Sequence, residues 1–110
     1  MKQELQEKLF AAGPELYRFR ALPCPQECLM GWGFDCPNEW FASLLALTRI
    51  LEFYNRQYPE NAVHARQVKN KFGGLRFYTD HPIDDELDFT NVIIREFEQL
   101  LCSPPSPGGK

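Results

Sequence analysis

The chain has 110 residues, 44% of them hydrophobic and 14% aromatic, and a formal net charge of −3. That length suits a single domain, since one core usually organises roughly 100–200 residues. The aromatic content excludes an intrinsically disordered chain, and no run approaches the ~18 consecutive apolar residues of a membrane span.

Lys2 to Ala12 predicts a short helix with Leu5, Leu9 and Phe10 on one side, stopped by Gly13-Pro14. Glu4 and Glu7 stand where a signal peptide would carry its apolar core, so a cytoplasmic location is expected. Glu15 to Phe34 has no period. Pro23-Cys24-Pro25 and Gly31-Trp32-Gly33 break it, and it reads as irregular structure with room for one short strand.

The strongest helical pattern follows Asp35-Cys36-Pro37-Asn38-Glu39 and runs to about Tyr58. Trp40, Leu44, Leu47, Leu51, Tyr54 and Tyr58 recur every three or four residues, widened by Phe41, Leu45 and Ile50. Trp40 is placed at the first buried turn. Ser43, Arg49, Glu52 and Arg56 fall on the opposite, solvent-facing side.

Ala62 to Lys69 and Leu75 to Thr79 read as two strands joined by Asn70-Lys71-Phe72-Gly73-Gly74, whose glycines suit a hairpin turn. Alternation turns Leu75, Phe77 and Thr79 inward and Arg76 and Tyr78 outward. A last helix is expected from about Ile83 to Cys102, with Asp84, Asp85 and Glu86 in its first turn, where the helix dipole favours negative charge. Its core stripe is Ile83, Leu87, Ile94, Phe97 and Leu101, widened by Phe89, Val92, Ile93 and Leu100. Residues 103–110, Ser103-Pro104-Pro105-Ser106-Pro107-Gly108-Gly109-Lys110, have the composition of a disordered tail. The expected architecture is therefore α+β over residues 1–102: a hairpin, extended by a third strand to a small antiparallel sheet, packed on two long helices, with a short N-terminal helix.

Charge is distributed unevenly. Ala62 to Thr79 carries four cations (Arg66, Lys69, Lys71, Arg76) and no acid, whereas Asp80 to Glu98 carries seven acids, including Asp84, Asp85, Glu86 and Asp88, against Arg95. Cations around Phe72 and Tyr78 have the chemistry that grips phosphate or docks on an acidic protein surface. A solvated hairpin face accounts for the same residues equally well. The acids suit helix-start stabilisation better than divalent-ion binding, and Asp84, Asp85, Glu86 and Asp88 form a second candidate partner-binding set, an acidic helix that imitates phosphate charge against a basic groove. Cys24 and Cys28 have the spacing of a zinc knuckle, to which Cys36 with Cys102, His64 or His81 would add ligands. The second half lacks paired spacing, so buried thiols are the better reading and no metal or other cofactor is expected. No nucleophile elbow, phosphate loop or H-E-x-x-H motif is present, and His64 and His81 are isolated in sequence, so the expectation is a binder and not an enzyme.

The segment Gln67-Val68-Lys69-Asn70-Lys71-Phe72-Gly73-Gly74-Leu75-Arg76-Phe77-Tyr78, preceded by Asp35-Cys36-Pro37-Asn38-Glu39-Trp40-Phe41, resembles a family of small proteins of phages and prophage-bearing bacteria. The family's hairpin reads roughly Q-V-K-x-K-F-G-x-L-R-F-Y, and the resemblance covers about half of this chain. Members often end in a cysteine pair resembling half a zinc ribbon, of which only Cys102 is present here. The resemblance implies a fold and a mobile-element setting within a bacterial host cell, not an activity. The expected partner is thus a bacterial protein or protein–nucleic acid complex, with the protein acting as an inhibitor of a defence system in the manner of anti-CRISPR proteins. A nucleic-acid-binding accessory protein using the basic hairpin, or an immunity protein neutralising a toxin, are the alternatives.

Overall fold

In the computed structural model, which describes residues 1–20, 30–82 and 85–102, helices and strands mix in an α+β arrangement. Among the described residues the order is α1 (Gln3–Ala12), β1 (Phe34–Asp35), α2 (Phe41–Gln57), β2 (Ala65–Lys71), β3 (Gly74–Thr79) and α3 (Phe89–Leu100). Single 3-10 turns at Arg18–Arg20, Met30–Trp32, Asn38–Trp40 and Pro59–Asn61 lie between them. None of the described helices is long and apolar enough to cross a membrane. Cys24, Cys28, Ile83, Asp84 and the tail at residues 103–110 lie outside the described residues.

The sheet has the order β1-β2-β3. β2 and β3 pair antiparallel, but β1 pairs parallel to β2, with Phe34 opposite Val68 and Asp35 opposite Lys69. The sheet is therefore mixed and not antiparallel. The reason is the connection: α2 carries the chain from β1 to β2, and a helical crossover returns a strand in the direction it left. Gly33, at φ 84, makes the turn into β1, and the Gln6 carboxamide of α1 accepts from the Phe34 amide at 2.8 Å.

Phe34, Val68 and Phe77 form one row across the inner face, and all three are buried. Against it pack Leu9 and Phe10 of α1, Leu44, Leu47 and Leu51 of α2, and Ile94 of α3. Phe10, Tyr17 and Phe34 have ring centroids 5.0–5.6 Å apart, partly edge to face. Trp40 is half-buried in the 3-10 turn ahead of α2, so the fully buried part of that helix begins at Leu44. Tyr58, expected in the stripe, is 56% exposed because α2 stops at Gln57.

The largest departure concerns Glu52. It faces the interior, where its carboxylate accepts from the Leu16 amide at 3.0 Å and the Glu15 amide at 3.3 Å. One turn earlier Thr48 bonds the Tyr17 hydroxyl at 2.6 Å. One turn later the Asn55 side chain exchanges two bonds with the Val63 backbone, at 2.8 and 2.9 Å. Glu52 and Asn55 satisfy irregular backbone that no strand or helix covers, which is what allows that backbone to be buried, and Thr48 satisfies the buried Tyr17 hydroxyl beside it.

α3 also begins later than expected. The Leu87 amide donates to Asp85 Oδ1 at 3.0 Å and the Asp88 amide to Asp85 O at 3.2 Å, closing a turn. Such side-chain bonds compete with helix formation. Asp88 is then the N-cap, accepting from the Thr90 amide at 2.8 Å. Leu87 is consequently 95% exposed and Phe89, Val92 and Leu100 also face solvent, so the core stripe narrows to Ile94, helped by Ile93, Phe97 and Leu101.

Glu52→Leu keeps the volume but removes both acceptors, and a buried donor left unpaired costs roughly 1–3 kcal/mol. The expected result is a drop in melting temperature of about 10 °C or more. Arg56→Leu, on the exposed side of the same helix, is expected to change it by no more than about 2 °C. Circular-dichroism melts of the two variants compare them directly.

Candidate functional site

Strand alternation places Gln67, Lys69 and Lys71 of β2 and Arg76 and Tyr78 of β3 on the sheet's outer face. Lys69 pairs with Arg76 and Gln67 with Tyr78, while Asp35 of β1 extends the Lys69 row. A register shift between Ala65 and Gln67 takes Arg66 out of the alternation. Of the sequence-derived basic set, Lys69, Lys71, Arg76 and Tyr78 thus share one surface, with Arg66 at its margin.

Phe72 stands at the tip. Lys71 pairs with Gly74, so the turn has two residues, Phe72 at φ 55 and Gly73 at φ 86. Positive φ at both central positions is the turn whose twist matches a hairpin, normally filled by Asn-Gly or Asp-Gly. The Gly73 amide donates to the Asn70 side chain at 2.9 Å. A bulky aromatic in left-handed backbone costs about 1 kcal/mol, and at 95% exposure Phe72 recovers none of it by burial. Only the Lys71 ammonium approaches its ring, 5.8 Å from the centroid, among the contacts seen.

The neighbouring edge is closed. The Phe77 amide donates to the Glu98 carboxylate at 3.0 Å and the Leu75 amide to Leu101 O at 3.2 Å, and Gly74 bridges Cys102. The end of α3 therefore occupies β3's free hydrogen-bonding side, which blocks addition of a further strand there. What remains open is the face, not the edge.

The acidic set lies elsewhere. Asp85, Glu86 and Asp88 precede α3 at the end where β3 finishes, whereas the hairpin tip lies at the end where α3 finishes. Eleven residue steps of helix separate the two ends by about 17 Å. The basic and acidic candidates form two sites and not one. Asp88, moreover, is occupied: its carboxylate meets His81 Nδ1 at 2.7 Å and accepts from the Thr90 hydroxyl at 2.6 Å.

Both histidines are braces. His64 Nδ1 is 2.7 Å from Asp80 Oδ2 and its Nε2 is 2.7 Å from Glu15 Oε2, while His81 Nε2 is 3.1 Å from Ala62 O. Every ring nitrogen faces an acceptor within the chain, so neither ring presents one to a substrate, as a general base must. Sequence spacing carries no trace of these pairs, because Glu15, His64 and Asp80 meet only through tertiary packing. Cys36 is buried, and its thiol is pushed up to about 12 by that burial, with the neighbouring Asp35 adding to it. In the metal-free chain it is a protonated, apolar side chain. Cys36 follows edge strand β1 and Cys102 joins edge strand β3, at opposite sides of the sheet. Among the described residues no three His, Cys, Asp or Glu side chains gather in metal-binding geometry.

A second surface was not singled out by sequence. Between the end of α2 and the start of α3 lies an open groove of roughly 1050 Å³, lined by Phe53, Tyr54, Tyr58, Asp85, Leu87 and Phe89 among others. Tyr54 stacks on Phe89 (5.6 Å, 16°) and leans on Tyr58 (5.0 Å, 40°). The one signal in the sequence was an aromatic, Phe53, outside the apolar stripe of α2.

Burial of Asp88 opposes its ionisation, but hydrogen bonds from Thr90 and His81 outweigh that and hold its carboxyl below the usual carboxylate range. The stabilisation is present above the unfolded carboxylate's pKa of about 4 and is lost as pH falls below it. Asp88→Asn retains a capping side chain without the charge. Its melting temperature is expected to fall less between pH 5 and pH 3 than that of the parent chain, in paired scans. Comparison with protein-family models, with curated proteins and with solved structures finds no match to this chain.

Proposed function

We propose that this chain is a non-catalytic binding protein that docks the outer face of β2–β3, led by Phe72, onto an acidic surface of a partner protein. The observation that carries the reading is Phe72 itself: a large aromatic held at φ 55, almost fully exposed, where Asn or Gly would fold better. Strain that folding does not require is a mark of a functional position. Lys69, Lys71 and Arg76 around it supply charge for steering and orientation, and Phe72 and Tyr78 supply apolar area that becomes worth most when a partner buries it. The satisfied histidines and the protonated Cys36 thiol agree with binding in preference to catalysis.

That the partner belongs to a bacterial defence complex, which the protein would inhibit in an anti-CRISPR-like way, rests on the hairpin's resemblance to phage and prophage proteins. A second reading, single-stranded nucleic acid on the same face, draws on the pairing of cations with Phe72 and Tyr78. The chain's net charge of −3 disfavours it, since the summed field repels a polyanion.

Phe72→Asn separates stability from binding. The variant is expected to melt a few degrees higher, because Asn-Gly relieves the turn strain, and to lose partner binding at least tenfold. Lys69→Glu with Lys71→Glu is expected to keep the fold and lose the same partner. Quantitative capture from bacterial lysate by the three proteins, alongside anisotropy titrations with single-stranded DNA at two salt concentrations, reads both outcomes. A partner retained equally by all three would sink the hairpin as docking element. DNA affinity that falls steeply with salt would favour the nucleic-acid reading.

A further inference from the structure

The two candidate surfaces are complementary in shape and in charge. The hairpin tip is convex: Phe72 projects almost fully exposed, with the Lys71 ammonium beside its ring and Lys69 two residues back along β2. The groove between α2 and α3 is concave and apolar, with Phe53, Tyr54, Tyr58, Leu87 and Phe89 on its walls. Its α3 side carries carboxylates where the tip carries ammonium groups, since Asp85 lines it, Glu86 adjoins Asp85, and both are exposed. Arg49 stands on the α2 wall, which directs an incoming cation to the α3 side. An aromatic projection ringed by cations thus matches an aromatic cleft rimmed by acids.

One chain cannot join its own pair. Glu98 and Leu101 fasten β3 to the end of α3, which holds the tip about 17 Å from the groove at the other end of that helix. We infer that two copies of this chain associate about a two-fold axis, the Phe72 tip of each seated in the aromatic groove of the other. This rests on the reading of Phe72 as a docking residue, and it names the acidic surface that receives it.

The order of features along α3 favours a second copy as the occupant. From the end of the helix to its start come the hairpin tip, the exposed Leu100 and Val92, then Phe89 and the groove. A two-fold partner lying antiparallel reverses that order, so tip meets groove at both ends, Leu100 comes beside the partner's groove end, and Val92 lies near the axis. Area agrees. Phe53, Val92 and Leu100 are 60%, 46% and 66% exposed, and together with Phe72, Tyr58, Leu87 and Phe89 they present on the order of 900 Å², taking about 200 Å² for a side chain of this size. A stable interface takes roughly 800 Å² from each partner. Exposed apolar area of this extent marks an interaction surface. Burial of the Phe72 ring in the groove also recovers, in the assembly, what its φ of 55 costs the single chain.

Sedimentation equilibrium of the full chain, with melting temperature read against protein concentration, tests this. The parent is expected to be a dimer whose melting temperature rises with concentration. Phe72→Asn is expected to weaken association at least tenfold and to remove that concentration dependence. Lys69→Glu with Lys71→Glu reverses the charge of the tip, and Asp85→Asn with Glu86→Lys reverses that of the groove while keeping an acceptor for the Leu87 amide. Each pair alone sets like charges together at both contacts and is expected to be monomeric. Mixed in equal amounts, the two proteins restore both contacts and are expected to form a heterodimer, which also shows that both are folded. A parent chain that is monomeric at every concentration would overturn the inference. So would a dimer that Phe72→Asn leaves intact, a mass that grows beyond two copies, or a mixture that stays monomeric although both variants melt cooperatively. If the parent is monomeric and Phe72→Asn still loses the protein captured from lysate, the docking role of Phe72 stands and this receptor is wrong. If Phe72→Asn changes neither, both fail.

Discussion

Much of this fold depends on three polar side chains buried on one face of α2. Thr48, Glu52 and Asn55 bond the Tyr17 hydroxyl, the Glu15 and Leu16 amides, and the Val63 backbone respectively. Those targets belong to the two segments without regular structure that flank the sheet, and such segments can be buried only if their backbone groups find partners. Leu16 O then accepts from the Ala65 amide at 2.7 Å, which carries the arrangement into β2. A wholly apolar α2 would bury more carbon but would leave these amides without acceptors. Polar burial here organises the chain, and hydrophobic contact among Leu44, Leu47, Leu51, Val68 and Phe77 stabilises what it organises.

The same economy governs the ends of the sheet. The final turn of α3 meets the free amides of β3 through Glu98 and Leu101, and Gln6 of α1 meets the amide of β1. Strand edges that invite pairing with other chains are thus occupied by side chains and helix ends. The outer face of β2–β3 is left as the accessible part of the sheet, and its cations are there for the same reason: strand alternation turns every second residue of a basic segment away from the core.

Stability and function are set against each other at the hairpin tip. Asn70 supports the turn from its side chain, and Gly73 takes its positive φ without penalty, yet Phe72 occupies a position where its bulk is unfavourable. The aromatic groove between α2 and α3 presents the opposite case. There the backbone is relaxed and the rings stack on one another, but their outer faces lack a protein cover among the described residues. One surface is a projecting tip and the other a concave cleft, about a helix length apart, so they suit different occupants.

Local pattern determined what local physics can encode. The 3.6-residue period of Leu44, Leu47 and Leu51 marked α2, alternation of Leu75 and Phe77 marked the inner side of β3, and Gly73 beside Phe72 marked the turn between strands. The α+β class followed from those elements. Tertiary structure alone decided which polar residues turn inward, because Glu52 is distinguished from Arg56 only by amides 36 and 37 residues away. It also decided that β1 runs parallel to β2, since two residues carry no directional signal. The start of α3 moved to Phe89 because Asp85 and Asp88 use their side chains to close a turn and cap a helix, two roles that one acidic run announces equally well. Finally, the basic hairpin tip and the acids Asp85, Glu86 and Asp88, close in sequence, stand at opposite ends of α3: β3 and α3 run antiparallel, and antiparallel neighbours put the start of one beside the end of the other.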